Sequence, residues 1–253
     1  MYALVTGATS GIGLEIAKIL ATMNYNLILV GRRIDRLQEL KAEVEDNNGI
    51  KAIAMQCDLS DTEQVYKLIK ETDMYEDIDV VINSAGFGKM GYVIDASDES
   101  DLGMISTNIT ALHILTKHFV KKMKKGNIVN IASIAGTVPG PYMSVYGATK
   151  AYVLNFSLAF GYELKRLKKD IHITTACPGP VETEFNDVAG ASYKLKSITA
   201  KKCAECIIKA MKKKKRVIMV SPTVKLLHFL SKISPYGMIL PVEYNLQIKK
   251  VRD

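Results

Sequence analysis

The stretch MYALVTGATSGIG, residues 1–13, joins a short apolar run to a glycine-rich turn. The run YALVTG (2–7) predicts a β-strand, and residues 13–23 predict a helix. Three glycines mark the turn between them: Gly7, Gly11 and Gly13. Glycine permits a tight turn and a close approach of the backbone, and the helix N-terminus offers N–H groups to a pyrophosphate. The sequence therefore predicts a dinucleotide site here, rather than only a tight turn.

Apolar, β-prone runs alternate with helical patterns along the rest of the chain. Six further runs predict strands: NLILVG (26–31), IKAIAMQCD (50–58), IDVVINSAG (78–86), NIVNIAS (127–133), IHITTACPG (171–179) and RVIMV (216–220). Helices are predicted at 33–46, 62–72, 98–123, 146–168 and 200–213. Strands that are apolar throughout and separated by helices are typical of a parallel sheet covered on both faces. An α/β fold with a doubly wound parallel sheet and helices on both faces is therefore expected.

Composition sets the limits of this interpretation. The chain has 253 residues, of which 48% are hydrophobic, which suits a single α/β domain over 1–253 with a sizeable core. No run of 18 apolar residues predicts a membrane-spanning helix. The opening residues lack a charged leader, so a reduced cytoplasmic setting is expected for the four cysteines. Cys203 and Cys206 form a CxxC, but no further ligands show the spacing of a zinc site, so no metal is expected.

The net charge of +8 arises largely from two lysine-rich runs, KKMKK (Lys121–Lys125) and KKKKR (Lys212–Arg216). Such runs can bind nucleic acid or acidic membranes. No aromatic residues are interleaved with them and no nucleic-acid motif is present, so no nucleic-acid partner is expected. Solvated helix ends explain both runs, and a basic surface also suits an anionic cofactor or substrate.

Ligands of doubly wound sheets bind beyond the carboxyl ends of the strands. After the second strand comes Gly31-Arg32-Arg33, with no carboxylate to accept from a ribose 2′-hydroxyl. Gly31 occupies the position of that carboxylate and Arg32 follows it, and an arginine at this point accommodates a 2′-phosphate. The sequence therefore predicts NADP(H) in preference to NAD(H), although both arginines could simply begin a solvated helix.

Other strand ends carry candidate ligands of the same cofactor. Asp58 could accept from an adenine amino group, Ala85 and Gly86 would let a flat ligand approach the backbone, and Thr183 could bond an amide group. Asn83 could equally be a structural turn residue. The predicted cofactor site comprises Gly7, Thr9, Ser10, Gly11, Ile12, Gly13, Arg32, Arg33, Asp58, Leu59, Asn83, Ala85, Gly86, Tyr146, Lys150, Pro178, Gly179, Val181 and Thr183.

The segment YGATK places Tyr146 four residues before Lys150, and Ser133 lies thirteen residues upstream of the tyrosine. Residues four apart share one face of a helix. A positive charge about 5 Å from a phenol, at an effective dielectric of about 20, is worth roughly 3 kcal/mol, or about two pKa units. Lys150 is therefore expected to bring the pKa of Tyr146 toward neutrality, where a phenol can give or take a proton.

Together, TGATSGIG, NSAG, Asn108, Ser133, YGATK and PGPVET resemble the short-chain dehydrogenase/reductase superfamily in order and spacing, over residues 1 to about 185. The resemblance implies a Rossmann-like sheet of about seven strands, a nicotinamide cofactor, and a catalytic group of Asn108, Ser133, Tyr146 and Lys150. Asn108 would hold a water that links Lys150 to solvent, and Ser133 would bond the substrate oxygen. The resemblance also implies a homodimer or homotetramer, built through the helices at 98–123 and 146–168.

Two departures refine the resemblance. The family's NNAG is NSAG here, with Ser84 as the changed residue, and the C-terminus lacks the DGG-type closing strand of 3-oxoacyl-carrier-protein reductases. The tail is similar to that of the broad-specificity NADP-dependent reductase branch, which acts on varied carbonyls and alcohols. That branch implies a small-molecule carbonyl or alcohol as the substrate.

Three segments are expected to wall the substrate site: Gly88–Ile94, Ala135–Met143 and Phe185–Ser197, the last within a substrate loop at about 184–200. An amphipathic tail follows at 221–253. Its apolar helical face over 223–233 could cap the site or pack on a subunit. Alternatively it could lie on a membrane surface, helped by Lys225 and Lys232.

The sequence thus predicts an NADP(H)-dependent oxidoreductase that transfers hydride between nicotinamide C4 and a carbonyl or secondary alcohol, with Tyr146 as general acid/base. Two alternatives stay open. A non-catalytic NADP(H)-binding sensor or partner protein would usually lack Tyr146 or Lys150, and both are present. A nucleotide-sugar epimerase would usually carry a longer C-terminal substrate domain.

Overall fold

A parallel sheet forms the centre of the molecule in a computed structural model that describes residues 1–190, 197–220, 225, 229 and 234–249. The strands in these ranges are β1 (Tyr2–Thr6), β2 (Asn26–Gly31), β3 (Ala52–Gln56), β4 (Ile78–Asn83), β5 (Lys125–Ile131), β6 (Asp170–Cys177), β7 (Val181–Glu182), β8 (Ile198–Thr199) and β9 (Val217–Met219). Seven of them pair in parallel in the order β3-β2-β1-β4-β5-β6-β9, and β7 pairs with β8. The predicted Rossmann-like sheet of about seven strands is confirmed.

Helices cover both faces of this sheet, as predicted. They are α1 (Gly11–Thr22), α2 (Ile34–Asn48), α3 (Thr62–Thr72), α4 (Asp98–Ile105), α5 (Leu112–Lys122), α6 (Ser144–Arg166), α7 (Phe185–Ala189), α8 (Ala200–Lys212) and α9 (Tyr236–Ile248). The apolar sides of α1, α2 and α8 enclose one core, and those of α3, α5 and α6 enclose the other. The alternating strands are buried from both sides, which explains why they carry few polar residues.

Two parts of the chain differ from the prediction, and a third part lies outside the described residues. The single helix predicted at 98–123 is interrupted by a π-helical turn at Ser106–Ala111, which divides it into α4 and α5. The connection predicted to be irregular after Glu184 contains α7 and leads to β8. The apolar face predicted over 223–233 lies outside the described residues, apart from Lys225 and Phe229. Within the described ranges, no helix is long and apolar enough to cross a membrane.

The strand order reverses between β1 and β4, and a single hydroxyl joins the two strand ends there. Thr6 Oγ1 accepts hydrogen bonds from the backbone N–H groups of Ser84 (3.1 Å) and Ala85 (3.2 Å). Gly7 follows with a φ of 67°, and a Cβ on it would lie 2.8 Å from the Ala85 nitrogen. Ligands of such sheets bind in the crevice at this reversal, so the glycine-rich turn stands at its edge.

A buried polar network lies beneath the same strand ends. Asn83 Nδ2 donates to Thr116 Oγ1 (3.0 Å) and to Asn130 Oδ1 (2.8 Å), and Asn130 Nδ2 donates to Ser157 Oγ (2.8 Å). All four residues are at most 2% exposed. The network therefore ties β4 and β5 to α5 and to α6, the helix that carries Tyr146 and Lys150.

We expect Asn130→Ala to lower the free energy of unfolding by about 2–6 kcal/mol, since Asn83 loses an acceptor and Ser157 a donor, at roughly 1–3 kcal/mol each. Asn155→Ala is the matched control, because Asn155 is exposed and bonds only one turn back, to Ala151 O. Urea unfolding measures both variants. Equal stability of the two would show that the network contributes nothing.

Candidate active site

Tyr146 and Lys150 lie side by side on α6, as the sequence predicts. The Lys150 Nζ is 5.8 Å from the centroid of the Tyr146 ring and donates to the carbonyl oxygen of Ile131 at 2.8 Å. Only 4% of Lys150 and 7% of Tyr146 is exposed. Burial lowers the pKa of Lys150 from 10.5 to about 8, with Cys177 acting weakly in the other direction. The amine therefore stays mostly protonated at pH 7 and provides a buried positive charge beside the phenol.

The turn that Ser133 caps lies directly against α6. Ser133 follows β5, and its Oγ accepts from the Ala135 N–H (3.1 Å) at the start of a 3₁₀ turn, Ile134–Gly136. A Cβ on Gly136 would lie 2.4 Å from the Lys150 carbonyl carbon, so only glycine lets the two backbones meet. This contact fixes Ser133 relative to the lysine and tyrosine.

Asn108 lies inside the π-helical turn and is fully buried. Its Oδ1 accepts from the Phe87 N–H (3.1 Å), and its Nδ2 donates to Phe87 O (2.9 Å) and Thr149 Oγ1 (3.0 Å). A Cβ on Gly86 would lie 2.8 Å from Asn108 Oδ1 and 3.2 Å from Lys150 Nζ. Asn108 and Lys150 thus meet at Gly86. π-turns are frequent at functional sites, and the water relay through Asn108 stays a prediction.

The side chains of Arg32 and Arg33, which follow β2, have different surroundings. Arg33 Nη2 donates to Thr9 Oγ1 (2.9 Å) and Ser10 Oγ (3.0 Å) of the glycine-rich turn. Arg32 instead lines an open cavity of about 410 Å³ with Asp58, Gln56, Gln64, Lys67, Leu68 and Glu71. Arg33 is therefore the arginine that reaches the predicted phosphate-binding turn.

Sequence reasoning missed two charged residues beside Arg33, namely Glu184 and Arg36. Glu184 pairs with Arg33 Nη1 (2.8 Å) and with Arg36 Nη1 (2.5 Å). The hydrogen bonds from Arg36 and Arg33 lower the pKa of Glu184 to about 2. Arg36 lies three residues after Arg33 on a predicted helix, and that spacing could have identified it. Glu184 is too distant in sequence for any local pattern to pair it with Arg33.

The remaining predicted cofactor residues lie at or after the carboxyl ends of strands β1, β3, β4 and β6. Asp58 Oδ1 accepts from Ser60 N (2.9 Å) and Ser60 Oγ (2.8 Å), and Leu59 is buried. The Asn83 side chain points inward to the polar network, so a role in cofactor binding stays a prediction for its backbone. Ile12, Pro178, Gly179 and Val181 lie beyond β1 and β6, and Pro178 O accepts from Ile134 N (2.9 Å).

The apolar side of the site combines the three predicted substrate walls. Buried and partly buried side chains form one cluster: Phe87, Met90, Met104, Ala135, Tyr142, Met143, Val145, Tyr146, Phe185 and Ala189. The Phe185 ring lies 5.2 Å from the Tyr146 ring. Tyr244 of α9 contacts Tyr142 (5.7 Å between rings) and shares a 2.9 Å hydrogen bond with Tyr92. The tail thus reaches the rim of this cluster.

Residues 1–194 match the family model described as short chain dehydrogenase. The chain belongs to the short-chain dehydrogenase family. Short-chain dehydrogenases are oxidoreductases, and relatives with reductase names agree with that class. The chain is 35% identical over 187 residues to sulfoacetaldehyde reductase of Chromohalobacter salexigens, a match that covers 72% of each chain.

Two further matches cover more of the chain. An uncharacterised oxidoreductase of Staphylococcus epidermidis is 32% identical over 228 residues, covering 88% of this chain and 96% of its own. A short-chain dehydrogenase from Sphingobium yanoikuyae, solved in complex with NADPH, superposes with a TM-score of 0.84 at 29% identity over 94% of each chain.

The glycine-rich turn of this short-chain dehydrogenase fits a dinucleotide. A Cβ on Gly13 would lie 2.3 Å from the carbonyl oxygen of Gly7, so the turn closes tightly against the first turn of α1. The Ser10 side chain does not cap that helix. Ser10 therefore leaves the first N–H groups of α1 without a side-chain cap, as suits an anion-binding helix N-terminus. Thr9, Ser10 and Arg33 add polar donors beside it.

We expect Lys150→Met to remove a pH dependence of stability. A charged lysine that is buried destabilises the folded state. When its pKa is lower in the folded state than in the unfolded chain, this destabilisation disappears as pH rises through the interval between the two values. Wild type should therefore gain up to about 3 kcal/mol over the variant between pH 8 and pH 10.5. Unfolding of both proteins without cofactor across that range measures the difference, and a constant difference would contradict the lowered pKa.

Proposed function

We propose that this short-chain dehydrogenase is an NADP(H)-dependent oxidoreductase that interconverts a carbonyl and a secondary alcohol, with Tyr146 as general acid/base. The observation that carries the proposal is the buried ammonium of Lys150 beside the Tyr146 ring. Because both side chains are buried, the positive charge of Lys150 acts on the phenol more strongly than it would in water. The pair is therefore suited to transfer a proton near neutral pH.

The chemistry divides between cofactor and chain. The nicotinamide, when bound, donates the hydride in reduction and accepts it in oxidation. In the reductive direction, Tyr146 gives its phenolic proton to the substrate oxygen as the carbonyl π bond breaks, and the Lys150 ammonium stabilises the phenolate that remains. Ser133 Oγ, which already accepts from Ala135 N–H, keeps its own hydrogen to donate to the substrate oxygen. Oxidation of an alcohol reverses these proton transfers.

Cofactor choice in this proposal depends on Arg33. Its contacts with Thr9 and Ser10 hold a guanidinium where the 2′-phosphate of NADP(H) would meet the glycine-rich turn. Gly31, at the end of β2, provides no carboxylate to repel a phosphate. The NADPH complex of the Sphingobium relative supports the same choice. Arg33 is thus assigned the 2′-phosphate role that the sequence pattern gave to Arg32, the residue directly after Gly31.

The proposed substrate is a small carbonyl or alcohol with a substantial apolar part. Aromatic and methionine side chains line the cluster around Tyr146, and such side chains suit an apolar group. We also propose that the protein forms homodimers or homotetramers through the faces of α5 and α6, where His113, Tyr152 and Phe156 form a partly exposed aromatic group.

We expect Tyr146→Phe to lower turnover of a carbonyl substrate at least about 100-fold, the lower range for general acid–base catalysis. NADPH affinity should change little. Tyr152→Phe is the matched control on the same helix, because Tyr152 bonds His113 instead. Steady-state rates and NADPH titration measure both variants. Near-normal turnover of Tyr146→Phe would remove the mechanism, whereas NADPH binding by wild type without any turnover would favour a sensor.

We expect Arg33→Ala to weaken NADPH binding about 10- to 100-fold, because a charge-assisted hydrogen bond contributes roughly 1.5–3 kcal/mol. NADH binding should change by less than about threefold, since NADH has no 2′-phosphate. Calorimetry compares this variant with Arg32→Ala and with Arg166→Ala, a control on the exposed end of α6. Equal losses for NADPH and NADH would show that Arg33 does not read the 2′-phosphate.

A further inference from the structure

Three consecutive side chains, Thr183, Glu184 and Phe185, lie across the crevice and contact it at three points. A Cβ on Gly11 would lie 2.9 Å from Thr183 Cγ2, so the threonine packs on the glycine-rich turn. Glu184 pairs with Arg33 and Arg36, and the Phe185 ring packs on Tyr146. We call residues 183–185 the strap.

Glu184 offers Arg33 the same chemistry that a phosphate would offer. Its two carboxylate oxygens each accept from a different guanidinium, and Arg33 also donates to Thr9 and Ser10. Arg33 and Arg36, with Thr9 and Ser10 bonded to Arg33, thus form one anion site, and the Glu184 carboxylate occupies it. A 2′-phosphate carries more charge and three acceptor oxygens, so it binds arginines more strongly than a carboxylate does.

The carboxylate is also exchangeable. The side chains of Arg33, Arg36 and Glu184 are 41%, 47% and 46% exposed, and exposed ion pairs contribute only about 0–1 kcal/mol each. An incoming anion therefore displaces Glu184 without unfolding any part of the core.

Glu184 is also directly joined in the chain to a residue that packs on Tyr146. Phe185 is the next residue, and its ring shares the space over Gly88 with the Tyr146 ring, since a Cβ on Gly88 would lie 2.8 Å from Tyr146 Cδ2 and 2.9 Å from Phe185 Cζ. A backbone shift that frees Glu184 also shifts Phe185. The contact between Phe185 and Tyr146 is thus linked to the arginine site through one peptide unit.

We propose that Glu184 is a specificity-determining residue for the cofactor: its carboxylate competes with a 2′-phosphate for Arg33 and Arg36, and its displacement moves Phe185 relative to Tyr146. The proposal rests on the proposed NADP(H) dependence. A 2′-hydroxyl cannot displace a carboxylate from two arginines, so NAD(H) leaves the strap in place. Glu184 thereby makes access to the catalytic tyrosine conditional on the 2′-phosphate.

The first test measures the affinity of 2′,5′-ADP, which carries the 2′-phosphate but no nicotinamide, against 5′-AMP. Glu184→Gln should tighten 2′,5′-ADP binding about three- to tenfold by removing the competing charge, with 5′-AMP unchanged. Glu182→Gln, two residues away and bonded to Ser197 Oγ, is the matched control and should change neither. Unchanged or weaker binding of 2′,5′-ADP by Glu184→Gln would overturn the competition.

The second test monitors Phe185, at the other end of the strap. The chain contains no tryptophan, so Phe185→Trp provides a single reporter. Addition of 2′,5′-ADP should shift its emission, although this ligand lacks the half that would reach Tyr146, and 5′-AMP at equal occupancy should not. In the double variant with Glu184→Gln, the shift should be largely lost. If the emission of Phe185→Trp does not change when 2′,5′-ADP binds, the link between Glu184 and Phe185 is overturned.

Failure of the inference and failure of the proposed function give different results. If wild type binds 2′,5′-ADP through Arg33 but neither Glu184→Gln nor the reporter responds, only the role of Glu184 is wrong. If wild type binds neither 2′,5′-ADP nor NADPH, the NADP(H) dependence is wrong, and the role of Glu184 fails with it.

Discussion

The buried ammonium of Lys150 is the constraint on which the rest of the site depends. Removal of a charged amine from water is unfavourable unless protein groups replace the water. Ile131 O accepts from it, and the Tyr146 ring lies beside it. These partners come from the end of β5 and from α6, and they meet because Gly136 lets the turn after β5 touch the helix backbone. Ser133 is carried into place by the same contact.

The two ends of the crevice are held in different ways. Behind the catalytic end, Asn83, Asn130, Thr116 and Ser157 form a buried hydrogen-bonded network that joins two strands to two helices. At the other end, exposed ion pairs of Glu184 hold the strap over the glycine-rich turn. Buried networks rigidify a site, whereas exposed ion pairs exchange readily with other anions. The proposed proton transfer needs the first property, and the proposed selection of an anionic cofactor uses the second.

Most of the fold, and the position of Tyr146 beside Lys150, could be predicted because they follow from local patterns. The period of the apolar residues predicts seven strands and the helices between them, and spacing alone puts Tyr146 beside Lys150. The π-turn around Asn108 could not be predicted, since its period is too close to that of an α-helix to alter the pattern. The sequence pattern assigned the 2′-phosphate to Arg32, and the contact of Arg33 with the glycine-rich turn could not be predicted, because adjacent side chains at the start of α2 point in different directions.

The amino-acid sequence by itself determined the order of the elements, the glycine-rich turn and the face shared by Tyr146 and Lys150, since each depends on residues a few positions apart. Only the tertiary structure decided the lowered pKa of Lys150, the inward direction of Asn83 and the pairing of Glu184 with Arg33 and Arg36. Desolvation and ion pairing depend on which distant atoms the fold brings together and how much water it excludes, and no local spacing contains that information.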